Sequence, residues 1–225
     1  MPTKKIVIIS PHPDDECLGV GGTILKKKTE GFKVINIIIT SLKNSKVSDK
    51  FKKKQIKEIL DCQKILKIDK TYNLNFTPTT LKNIGLKKII DKLLPIISKE
   101  KPSEIYLPFI NDAHDDHYVS HKAGLACSKW FRNNFINSIF VYETLSETHL
   151  PNSKKKENIF YPNFYVDISK FIKKKIIALK SYKSQMKPHP FPRSVKTIKS
   201  LAAFRGSSSG FRYAESFEVL MIRKK

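Results

Sequence analysis

The chain has 225 residues, 43 Lys and Arg against 20 Asp and Glu, a net charge of +23, and 40% hydrophobic residues. That length and apolar content exclude wholesale disorder and suffice for one domain with a real core, spanning residues 1–225. The charge invites a polyanion partner, yet only Arg132, Arg193, Arg205, Arg212 and Arg223 are arginines. Readers of phosphate and guanine favour the planar Arg fork. The Lys, accompanied by abundant Ile and Asn, is spread along the chain and reads as compositional drift, so no specific nucleic acid is expected. Cys17, Cys62 and Cys127 are odd in number, far apart and without a CxxC, which excludes a disulfide framework or a thiolate metal site. The N-terminal apolar run is too short for a signal peptide, and no stretch reaches the ~18 apolar residues of a transmembrane helix. A cytoplasmic location is the resulting expectation, and a homo-oligomer is compatible with the sequence.

In chain order, Lys5–Ser10 and Val34–Thr40 are short apolar runs without alternation, as in strands buried on both faces. Glu16–Glu30 between them has the length and glycine content of a tightly packed helix, which makes a β-α-β unit with parallel strands. Lys43–Lys50 reads as a polar loop. Phe51–Leu66 has apolar residues at 56, 59, 60, 65 and 66 and lysines opposite, an amphipathic helix. Leu81–Ser98 is a second helix, interrupted by Gly85 and Pro95. Strand Ser103–Phe109, helix His117–Arg132 and strand Ser138–Thr144 follow. Pro151–Asn158 is a polar loop, "FYVDIS" a strand, and Lys170–Met186 a Lys-rich helix. The fold class is therefore α/β, a single sandwich with a mostly parallel sheet.

Two polar clusters stand at strand exits, where open parallel sheets build their sites. "PHPDDECLGVGG" (Pro11–Gly22) follows the first strand, and "NDAHDDHYVSH" (Asn111–His121) follows "SEIYLPF". Imidazole and carboxylate suit a borderline cation such as zinc, whose catalytic sites take three protein ligands and leave one position for water. Two ligands from the first cluster and one from the second would meet that need. Pro11 and Pro13 preset the backbone around His12. Of the adjacent Asp14 and Asp15, one can bind metal while the other serves as general base toward a water whose pKa zinc lowers to roughly 7.

"PHPDDE" with "LGVGGT", then "HDDH" after a later strand, resembles the LmbE-like (PIG-L) family of zinc-dependent N-acetyl-sugar deacetylases. "YKSQMKPHPFPRS" (Tyr182–Ser194) and "RGSSSGFRYAESFE" (Arg205–Glu218) resemble the C-terminal segment of members associated with sugar and polysaccharide biosynthesis. The resemblance implies a Rossmann-like three-layer domain that removes acetyl from an N-acetylglucosamine-type sugar in a glycoconjugate, polysaccharide or nucleotide-sugar pathway. It implies Zn2+ on His12, Asp15 and His117, with Fe2+ as the alternative native metal, and Asp14 as base. His114, oriented by Asp116, would stabilise the oxyanion as a charged or hydrogen-bonding donor. Family members commonly carry a substrate-contacting Arg three residues before a helix glutamate; if that glutamate is Glu58, the position here is Gln55, beside Lys54. Arg205 is a further candidate for substrate contact, and Asp112 either orients the loop or reaches the substrate. The alternatives are a deacetylase or amidase of a thiol-sugar or other amide, or a non-catalytic basic binding protein on the same fold.

Blander readings apply to the neighbours. Asp14-Asp15-Glu16 could cap a helix N-terminus, and for Glu16 a capping or supporting role is the expectation. Gly19, Gly21 and Gly22 lack the spacing of a dinucleotide loop and read as close helix packing. His121 reads as structural or substrate-adjacent, Asp115 as solvent-exposed, and the "GSSSG" segment as a turn or a substrate-contacting lid.

Overall fold

In the computed structural model, which describes residues 4–150 and 159–224, Lys5–Ser10 (β1) and Lys33–Thr40 (β2) are strands buried almost throughout. They pair in parallel, Ile6 opposite Val34 and Ile9 opposite Ile37, with helix Asp15–Thr29 (α1) as the crossover. After a 3-10 turn at Leu42–Asn44 come helix Asp49–Leu66 (α2), strand Lys70–Phe76 (β3), and helices Leu81–Ile84 (α3) and Leu86–Glu100 (α4). Strand Glu104–Pro108 (β4), helix Asp115–Cys127 (α5) and strand Ser138–Tyr142 (β5) follow. Strand Phe164–Asp167 (β6), helices Ile172–Leu179 (α6) and Val195–Ser207 (α7), and strand Ala214–Ile222 (β7) complete the order. The seven strands form one sheet in the order β3-β2-β1-β4-β5-β7-β6. The first five are mutually parallel and β7 runs antiparallel to both its neighbours, so the sheet is mostly parallel and the fold α/β, as expected.

Strand side chains alternate between two cores, which is why both faces of β1 are apolar. Ile6 and Ile8 join residues of α1, α2, α6 and α7 on one face, while Val7 and Ile9 join residues of α3, α4 and α5 on the other. All four are fully buried, and each such side chain contributes about 2 kcal/mol of transfer free energy.

Several boundaries differ from the sequence expectation. The second helix region breaks at Gly85, whose φ of 88° is a left-handed conformation that ends α3, but α4 runs on through Pro95. The helix expected over His117–Arg132 starts at Asp115 and ends at Cys127, and that expected over Lys170–Met186 is the shorter α6. Strands β3 and β7 and helix α7 were not anticipated. The polar loop expected at 151–158 lies outside the described residues. No described helix is long and apolar enough to cross a membrane.

The glycines of α1 serve packing, as expected. A Cβ on Gly19 would run into the Tyr142 ring, and one on Gly22 would lie 2.5 Å from Ile168 Cγ2. A buried ion pair also enters this helix. Lys175 Nζ donates to the Leu18 carbonyl (2.6 Å) and to Glu215 (2.6 Å), while Glu215 accepts from the Gly22 and Thr23 amides, both at 2.7 Å. Leu18 C=O and Gly22 N–H are i, i+4 partners of a regular helix. The Lys175–Glu215 pair therefore contacts both the carbonyl and the amide side of one turn of α1.

Central β1 has β2 on one side and β4 on the other, and the crossovers leaving them lie on opposite faces. The crevice at the carboxyl ends of β1 and β4 is the topological switch point, and both polar clusters emerge there.

Candidate metal centre and catalytic pocket

Asp14 leaves β1 with φ 108°, a left-handed value that costs a non-glycine residue about 1–3 kcal/mol. Its side chain makes no capping bond to α1, so helix capping does not explain it. The turn sends Asp14 and Asp15 different ways. Asp15 Oδ2 accepts the His12 backbone N–H (2.8 Å) and lies 3.4 Å from His12 Nδ1 and 3.3 Å from His117 Nε2. Ligand atoms of His12, Asp15 and His117 all fall within 4.8 Å of one another.

Each imidazole is held from behind by another carboxylate. His117 Nδ1 lies 2.7 Å from Asp112 Oδ2, and His12 Nε2 lies 3.1 Å from Asp116 Oδ2. In the neutral rings these bonds keep the proton on the outer nitrogens, so that His12 Nδ1 and His117 Nε2 are the atoms that offer lone pairs beside Asp15. A tetrahedral ion with bonds of ~2.0 Å needs donors ~3.3 Å apart, which matches the Asp15 separations. The electrostatics agree. Burial opposes charging of His12, but Asp116 and Asp15 outweigh it and raise its pKa to about 9. Burial likewise opposes charging of His117, yet Asp15 and Asp112 raise it to about 10. Asp15 is held well below its ordinary value in spite of burial, because both imidazoles pair with it. Without a metal the cluster favours protons, and a divalent cation answers the same demand. Two neutral imidazoles and one carboxylate therefore fit zinc or ferrous iron.

Asp14 points elsewhere, and Arg193 Nη1 donates to its Oδ2 at 2.8 Å. Burial raises the Asp14 pKa to about 8; Arg193 pulls it down, and Asp15 and Glu16 add to the rise. Glu16 is fully buried, accepting from the Asp14 amide (3.2 Å) and the Tyr182 hydroxyl (2.7 Å), so it supports the turn that aims Asp14.

Three sequence assignments read differently in the structure. The carboxylate of Asp116 comes only within 3.9 Å of His114 Nδ1; it serves His12 at 3.1 Å and accepts from the Thr79 (2.7 Å) and Leu81 (3.2 Å) amides. His114 is held instead by the Asp116 backbone N–H, which donates to its Nδ1 at 3.1 Å. Its Nε2 is then the protonated nitrogen, and burial and nearby His12 lower its pKa, so it is a neutral donor. Arg205, expected at substrate, forks onto the buried Glu143 with bonds of 2.9 and 2.7 Å and tethers α7 to the loop after β5. Asp112, another substrate candidate, is occupied by His117 and by the Thr148 hydroxyl at 2.6 Å. Gln55 does line the pocket, with its Oε1 accepting the Leu42 amide at 2.9 Å. His121 is structural, its Nδ1 lying 2.8 Å from the Pro108 carbonyl, and Asp115 pairs at the surface with Lys82.

A pocket of about 270 Å³ opens over the cluster, walled by His12, Asp14, Gln55, His114, Glu147 and Arg193. Pro13, Leu42, Gln55 and Gln185 are shared with a neighbouring cleft of about 230 Å³ that also includes Phe51 and Tyr182. Arg193, Glu147 and Gln185 were missed in the sequence. The available signal was Arg193 itself, an arginine in a chain that uses lysine almost everywhere, inside "PHPFPRS".

The profile of PIG-L, described as GlcNAc-PI de-N-acetylase, matches residues 7–128. Diacetylchitobiose deacetylase of Thermococcus kodakarensis is 26% identical over 96% of this chain and 83% of its own length. The crystal structure of a conserved protein from Thermus thermophilus superposes with a TM-score of 0.77 at 26% identity, covering 98% of this chain and 96% of the other. N,N'-diacetylchitobiose deacetylase from Pyrococcus horikoshii, solved with an inhibitor, has a TM-score of 0.76 at 24% identity, over 98% of this chain and 85% of its own.

Proposed function

We propose that this chain, which belongs to the PIG-L family, is a metal-dependent hydrolase that removes the N-acetyl group from an N-acetylglucosamine-type sugar. The observation that carries the reading is the His12, Asp15 and His117 donor set with a further carboxylate, Asp14, held by Arg193 at the same pocket. The relatedness to a diacetylchitobiose deacetylase supports a sugar acetamide as substrate. We take residues 1–225 as one such domain, since β1 and β7, from opposite ends of the chain, share one sheet. Three buried free thiols support a reducing, cytoplasmic setting.

His12 Nδ1, Asp15 and His117 Nε2 would hold Zn2+, with Fe2+ as the alternative. When bound, the ion supplies Lewis acidity that polarises the acetamide carbonyl and acidifies water. Asp14, with its raised pKa, takes the proton of the attacking water as the new C–O bond forms. His114 Nε2–H donates to the carbonyl oxygen as negative charge develops on it. The protonated Asp14 returns its proton to the sugar nitrogen as the C–N bond breaks, leaving a free amine and acetic acid, which releases the second water proton as it ionises to acetate. Arg193 keeps the Asp14 carboxylate aimed into the pocket throughout.

The test is amine release from a panel of N-acetyl sugars, nucleotide sugars and thiol-sugar conjugates, with metal analysis of the same sample. Asp14→Asn is expected to retain metal while turnover falls by about 10²–10⁴-fold. Near-wild-type turnover in that variant would remove Asp14 from the mechanism.

A further inference from the structure

Arg193 touches the pocket from the segment between α6 and α7, 179 residues from Asp14. Four of its five N–H groups have partners among the described residues. Nε donates to Ser146 Oγ (2.9 Å), Nη1 to Asp14 Oδ2 (2.8 Å) and Gln185 Oε1 (3.0 Å), and Nη2 to Glu147 Oε1 (3.2 Å). The remaining N–H sits on Nη2. Glu147 is complementary: its Oε1 takes Arg193 and the Ser146 hydroxyl (3.1 Å), and no described residue bonds its Oε2. One donor and one acceptor thus stand side by side on the wall of the pocket that also contains His114 and Asp14.

We infer that Glu147 and Arg193 form a diol-reading subsite, Arg193 Nη2 donating to one sugar hydroxyl and Glu147 Oε2 accepting from its neighbour. The inference rests on the N-acetyl-sugar deacetylase reading above and names the part of the sugar that is read. With C2 carrying the acetamide and C1 the aglycone, the only vicinal diol of a glucosamine pyranose ring is at C3 and C4. The pair is held for this task. Ser146 has a left-handed φ of 75°, and the Ala113 amide donates to the Glu147 carbonyl at 3.2 Å, which ties the loop after β5 to the cluster after β4. A lysine in place of Arg193 could not reach four acceptors from three chain segments and still present a donor to the ligand.

The test is steady-state kinetics on the methyl glycoside of N-acetylglucosamine and its 3-deoxy and 4-deoxy analogues, with wild type, Glu147→Gln and Arg193→Lys. In wild type, loss of either hydroxyl is expected to lower kcat/KM about tenfold or more, the cost of leaving a charged partner unpaired. Each variant should lose about tenfold on the full sugar, and the further penalty for one deoxy analogue should then shrink to about twofold. Such non-additivity reports direct contact, whereas a merely structural role leaves both deoxy penalties unchanged. Additive penalties in both variants overturn the inference, and so does loss of bound metal in Glu147→Gln together with additive penalties in Arg193→Lys. Wild-type enzyme that releases amine from none of these sugars overturns the deacetylase reading as well. Amine release with additive penalties overturns the diol subsite alone.

Discussion

At the scale of single residues, the centre depends on carboxylates that never meet the candidate ion. Asp112 behind His117 and Asp116 behind His12 set the tautomers, so that two lone pairs converge beside Asp15. Asp112→Asn keeps the shape but replaces a charged acceptor with an amide, which weakens the imidazole as a donor. We expect metal affinity to fall about 10–100-fold, measured by competition with a chelator, with the fold intact. Affinity unchanged in this variant would mean that His117 is not a ligand or does not need its partner. Asp112, Asp116 and His117 were all legible as site residues from "NDAHDDH". Their pairing was not, because neighbours in sequence turn to different faces: Asp116 sends its backbone to His114 and its side chain to His12.

Helix α1 is the element that joins the site to the core. Its N-terminal turn carries Asp14 and Asp15, and further along the helix its surface lies against Tyr142 and Ile168. Tyr142 is fully buried and its hydroxyl donates to the Ile9 carbonyl at 2.8 Å, so the ring has no room to yield. Gly19→Ala should therefore cost about 1–3 kcal/mol by overpacking, read as a lower urea midpoint at an unchanged slope. A neutral substitution would show that α1 can shift off the sheet without penalty. The strongly patterned elements, β1, β2, α2 and β4, were readable because burial on both faces or on one stripe writes a clear period. Strand β3 was not, since "KTYNLNF" is largely half-exposed beside polar residues at the edge of the sheet. Helix α7 hid for a related reason: its apolar residues form no clean stripe, and only Ile198, Ala202 and Gly206 are buried.

For the whole molecule, the metal-free centre stores protons. Burial raises Asp14 from 3.8 to about 8 and Glu16 from 4.5 to about 7. His12 and His117 rise from 6.5 to about 9 and about 10, where their carboxylate partners outweigh burial. Each group holds its proton more tightly folded than unfolded, so its contribution is complete below its unfolded pKa and drains as pH climbs through its folded one. Metal-free protein should therefore melt lower near pH 9 than near pH 6. A divalent ion held by His12, Asp15 and His117 would displace the imidazole protons and bind more tightly as pH rises, so a loaded protein should lose less over that interval. Calorimetry with and without a chelator checks this, and a metal-free protein more stable near pH 9 would contradict it. The amino-acid sequence by itself determined the α/β class, the central strands, and the residue types gathered at two strand exits, because those signals are local: periodicity, turn chemistry and short motifs. Only the tertiary structure decided which carboxylate stands behind which imidazole, that Arg205 belongs to Glu143, and that Arg193 and Glu147 enter the pocket that "PHPDD" and "HDDH" begin. Those contacts join segments up to 179 residues apart, and strand order and packing, which no local pattern encodes, bring them together.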